Sequence, residues 1–118
     1  MDTLIASLID RLKQRIPFLE TRSAPASGEY LEVVIARQDL QTCYELLSQA
    51  LGPPVKEFGK AARLERTMQK AVDQLGGIWL DQCLFLKSSE KTQVTYAALW
   101  PWASNATRIT LKMGVHQV

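Results

Sequence analysis

The stretch from Gly76 to Val115 constrains the fold more than any other part of this 118-residue chain. It opens on Gly76-Gly77 and continues as three apolar runs, Ile78 to Leu86, Val94 to Trp100 and Arg108 to Met113. Ser88-Ser89-Glu90-Lys91 and Ala103-Ser104-Asn105 separate them. Short β-rich runs divided by short polar breaks predict a strand meander over 78–115. In the last run Ile109, Leu111 and Met113 alternate with Arg108, Thr110 and Lys112, so one face meets a core and the other meets water. The first run differs: Ile78, Leu80, Leu84 and Leu86 point one way, while Trp79, Cys83 and Phe85 point the other. Both faces there are apolar, and the second needs a cover.

The amino-terminal part reads as helices around one strand. Leu4, Ile5, Leu8, Ile9, Leu12 and Ile16 recur at spacings of three and four, predicting an amphipathic helix over 2–16 that stops before Pro17. Residues 20–29 carry Ser, Ala, Pro and Gly and read as a loop. Tyr30 to Ala36 is rich in β-branched residues and predicts a strand. A helix follows over 38–51 with Leu40, Cys43, Tyr44, Leu47 and Leu51 on its apolar side, ended by Gly52-Pro53-Pro54. A further helix is expected over 59–75, with Leu64, Met68, Val72 and Leu75 as its buried stripe. The order α-β-α-α-β-β-β predicts a single α+β domain over 1–118, with a mostly antiparallel four-stranded sheet and its helices packed on one face. In element order alone, the strand–helix–meander part resembles the βαβββ module of the vicinal oxygen chelate superfamily. No residue motif accompanies that resemblance, and order by itself assigns no function.

Bulk properties exclude several classes. A hydrophobic content of 47% is too high for a disordered chain, and a net charge of +2 from 14 basic and 12 acidic residues favours no class of partner. Arg11, Lys13 and Asp10 interrupt the first helix where a signal peptide needs an unbroken apolar core. No run is long enough to span a bilayer. Cys43 and Cys83 each sit in an apolar run and read as small buried hydrophobes. The expectation is a cytoplasmic protein without a cofactor or a metal.

Three functional readings follow. In the first, the chain is a non-catalytic interaction or self-association domain. Trp79, Phe85, Tyr96, Trp100 and Trp102 form an aromatic face that docks on a protein partner or a second copy, because large aromatics anchor interfaces. In the second, Lys56, Lys60, Arg63, Arg66 and Lys70 form a basic stripe for nucleic acid or an anionic ligand. If the helix extends back to Lys56, these five span about 120° of its circumference. In the third, Asp81 and the tryptophans line a small-molecule pocket, because a carboxylate within an apolar run has the raised pKa that suits acid–base chemistry. Catalysis would call for a second titratable partner, and Glu32 is the nearest candidate on a strand. Gly52 to Gly59-Lys60 fails as a phosphate loop: its glycine spacing is wrong, and Ala61 replaces the required hydroxyl residue. His116 is the sole histidine and has no ligand-spaced partner.

Overall fold

The computed structural model describes residues 3–24, 30–60, 66–74, 81–90 and 93–117. Helix α1 (Thr3–Arg15) carries the predicted stripe, with Ile5, Leu8, Ile9, Leu12 and Ile16 all buried. It stops before Pro17, where the Ile16 amide still closes a last bond to the Leu12 carbonyl at 2.8 Å. Strand β1 (Glu20–Ser23) and strand β2 (Tyr30–Ala36) follow. A 3-10 turn over Arg37–Asp39 leads directly into α2 (Leu40–Leu51). Gly52 ends α2 with φ of 84°, a left-handed conformation that a side chain would strain. The described remainder comprises α3 (Arg66–Gln74), β3 (Cys83–Glu90), β4 (Gln93–Pro101) and β5 (Arg108–Gln117).

The class is α+β, as expected, but the sheet has five strands in the order β1-β2-β5-β4-β3, each pair antiparallel. The additional strand, β1, falls in the segment read as a loop. The predicted start of the meander also shifts. Asp81 lies in a turn and the described strand begins at Cys83, while Ile78, Trp79 and Leu80 lie outside the described residues.

Alternation along the strands divides the side chains between two cores. Leu31, Val33, Ile35, Cys83, Phe85, Ala97, Leu99, Ile109, Leu111 and Met113 face α1 and α2 and form the main one. On the opposite face Leu84, Leu86, Val94 and Tyr96 cluster with Val72 of α3. His116, on that same face of β5, shares a 2.8 Å hydrogen bond with Gln74 of α3. The helices therefore cover both sides of the sheet rather than one, and α3 supplies part of the cover that the doubly apolar β3 requires. Lys56, which would join the basic stripe only if the helix extended back to it, instead bridges to Leu84 at the edge of the sheet. Gly59 and Lys60 lie in the turn that follows.

Candidate functional site

The topology brings one end of the sheet together. β2 and β4 run towards that end, while β3 and β5 start from it. The register pairs Ala36 with Arg108, Pro101 with Ile109 and Cys83 with Leu99. Arg37 just after β2, Pro101 closing β4, Ile109 opening β5 and Asp81 just before β3 therefore gather at one rim. These four, with Leu40, Phe58 and Gly59, line an open cavity of about 600 Å³. Among the described residues its wall is mainly apolar, with one guanidinium and one carboxylate.

Each wall element has a local cause. Leu40 is the first residue of α2 and is half-buried, because the 3-10 turn brings the helix start over the end of β2. The β4–β5 connection is held by Asn105: its Oδ1 accepts from the Thr107 amide at 3.1 Å, and its carbonyl accepts from the Arg108 amide at 3.1 Å. The Arg37 amide donates to the Thr107 carbonyl at 2.8 Å, and its guanidinium reaches the Ala106 carbonyl at 3.4 Å. Arg37 is thereby tied to the cavity's own rim.

Lys56 fixes the remaining wall. Only 4% of it is exposed. Its Nζ donates to the Gln82 carbonyl at 2.7 Å and to the Glu57 carbonyl at 2.8 Å. Backbone bonds from Val55 and Lys56 to the Leu84 carbonyl, and from the Leu84 amide back to Lys56, complete the clasp. This anchors both the turn that carries Phe58 and Gly59 and the chain entering β3 just after Asp81. The Tyr44 hydroxyl donates to Glu57 alongside, and that bond, with burial second, raises the Tyr44 pKa to about 12.

The aromatic set is dispersed. Phe85 is wholly buried and packs edge-on against Tyr44, with ring centres 5.4 Å apart, so it is a core residue and not a surface one. Tyr96 is buried in the second core, and its burial raises its pKa. Trp100 is half-buried on the same face as Tyr96. Trp102 donates from Nε1 to Thr110 Oγ1 at 2.9 Å, and the Arg22 guanidinium lies 5.2 Å from its ring centre. Trp79 lies outside the described residues. Leu19 is the exposed large hydrophobic side chain among the described residues, so those residues form no bare aromatic face.

The basic stripe is dispersed as well. Lys56 is buried in the clasp, Lys60 is exposed in a turn, and Lys70 is exposed on α3. Arg66 begins α3, and Arg63 lies outside the described residues. A smaller groove of about 340 Å³ between α1 and α2 instead gathers Arg11, Arg15, Gln14 and Gln49.

Among the described residues, Asp81 is the sequence-predicted site residue that lines the cavity, and Trp100 and Trp102 do not. It is exposed at the rim rather than desolvated within a strand. Glu32 lies on β2 and accepts a 2.9 Å bond from the Tyr30 hydroxyl. Burial, with that bond second, raises the Tyr30 pKa. Both cysteines are free and fully buried, and burial raises each thiol to about 12. Among the described residues no cluster of His, Cys, Asp and Glu is placed to hold a metal, and no helix is long and apolar enough to cross a membrane. No protein family, curated protein or solved structure matches the chain.

Proposed function

We propose that this chain binds a small molecule non-covalently in the cavity at the end of the sheet. The observation that carries this reading is a concave, mainly apolar space of about 600 Å³, walled by Leu40, Phe58, Pro101 and Ile109, with Arg37 and Asp81 at its rim. Ligand sites generally fall between about 300 and 1,000 Å³ and combine apolar walls with a few polar groups that set orientation. Binding here rests on burial of the ligand's apolar body, worth roughly 25 cal/mol per Å² removed from water before association costs. Arg37 and Asp81 then select among ligands by charge.

Fluorescence of the amphipathic anionic dye 8-anilinonaphthalene-1-sulfonate, whose rings suit the apolar wall and whose sulfonate suits Arg37, tests the reading. The wild-type protein is expected to enhance the dye's emission. Leu40→Glu places a carboxylate in the wall while keeping a good first-turn helix residue, and it abolishes the enhancement with an unchanged far-UV circular dichroism spectrum. Equal enhancement by both proteins, or none by either, overturns the proposal.

A further inference from the structure

Resting on the cavity as a ligand site, we infer that its occupant is an apolar zwitterion: an amino acid or short peptide with apolar side chains, a free carboxylate and a free ammonium. Among the described residues the cavity wall carries one cation, Arg37, and one anion, Asp81, with Leu40, Phe58, Pro101 and Ile109 as its apolar members. Neither charge is ion-paired among the described residues; Arg22 pairs with Glu20 on β1. Arg37 is held by the Ala106 carbonyl through a single nitrogen, Nη1, at 3.4 Å. A guanidinium has five N–H donors in a rigid fork, so a carboxylate-accepting edge remains. Asp81 accepts only, and its natural complement is an ammonium.

Both charges are exposed, so a purely apolar ligand leaves them to water and gains nothing from either. A simple anion gains from Arg37 alone, and a simple cation from Asp81 alone. The zwitterion satisfies both rim groups and buries its side chains on the apolar wall. Because the two charges are solvent-exposed, each contributes modestly, about fivefold in affinity apiece, and both contributions weaken with added salt.

Isothermal titration of the full chain with four forms of one dipeptide provides the test. These are leucyl-phenylalanine with both termini free, the amino-acetylated form, the carboxyl-amidated form, and the form blocked at both ends. The free dipeptide is expected to bind at least tenfold more tightly than the doubly blocked one, with the singly blocked forms between. Arg37→Gln removes the advantage of a free carboxylate and keeps that of a free amine; Asp81→Asn does the reverse. Both residues are exposed, so both variants are expected to fold, which circular dichroism checks. Equal affinity for all four dipeptides refutes the zwitterion while leaving the cavity a ligand site. So does the absence of dipeptide binding in a protein whose cavity still takes up the dye. Absence of both dipeptide and dye binding refutes the site itself.

Discussion

Replacing Lys56 with Met tests whether a buried ammonium holds the cavity wall in place. Methionine keeps most of the side-chain volume, so packing changes little. The substitution deletes the donor that reaches the Gln82 and Glu57 carbonyls at 2.7 and 2.8 Å. A hydrogen bond from a charged donor contributes about 1.5–3 kcal/mol, and a buried carbonyl left unsatisfied costs about 1–3 kcal/mol. Opposing this, the variant no longer desolvates a cation, a saving of several kcal/mol. Because Glu57 and Gln82 are only half-buried, water takes over part of the loss, and the balance is a net loss of about 1–2 kcal/mol against the roughly 5–15 kcal/mol that holds a domain folded. Urea denaturation measures the global loss. Amide exchange at Leu84, whose N–H donates to the Lys56 carbonyl at 3.0 Å, reports the clasp locally. Exchange there should accelerate more than at Leu111 in the middle of the sheet. Stability within about 0.5 kcal/mol of wild type, together with unchanged protection at Leu84, would refute the clasp.

Three further outcomes follow from the packing. A β-carbon at Gly114 would meet Tyr96 Oη at 3.0 Å and Tyr30 Cδ1 at 3.1 Å, so Gly114→Ala should destabilise the protein by about 1–2 kcal/mol in urea. Trp102→Phe loses the 2.9 Å bond to Thr110 and weakens the stacking under Arg22, lowering stability by about 1 kcal/mol, with Arg22→Gln adding little further in that background. Cys43 and Cys83 keep their protons in the folded state up to about pH 12, whereas unfolded thiols ionise near 9. Their contribution is thus complete below pH 9 and lost as pH rises from 9 towards 12. Stability measured across that window should fall, and neither thiol should react with a disulfide reagent at pH 8 until urea unfolds the chain.

Parts of this fold are legible where one face alternates. Leu31, Val33 and Ile35 mark β2 with the bounds the structure has, and Ile109, Leu111 and Met113 mark β5, which continues beyond that run to Gln117. Gly52 marks the end of α2 because the chain needs a positive φ there. β1 escapes such reading: Glu20, Thr21 and Arg22 are exposed on an edge, where pairing with β2 rather than hydrophobic burial makes the strand. Lys56 escapes it for the opposite reason. Helical spacing suits it, but tertiary hydrogen bonds to Leu84 and Gln82 place it against the sheet. Asp81 stands out in the sequence as a charge within an apolar run. Its companions Arg37, Leu40, Phe58 and Ile109 do not, because each looks ordinary in its own element. What unites them is the sheet order: with β5 between β2 and β4, the end of β2 lies beside the start of β5. That adjacency is a property of the whole chain, and no local pattern expresses it.

The cavity claim is tested most directly by amide chemical-shift mapping of the isotope-labelled protein during titration with 8-anilinonaphthalene-1-sulfonate. Saturable shifts concentrated at Arg37, Leu40, Gly59, Asp81 and Ile109 are the predicted result. Shifts centred on Trp100 and α3, or scattered over the surface without saturation, would contradict it.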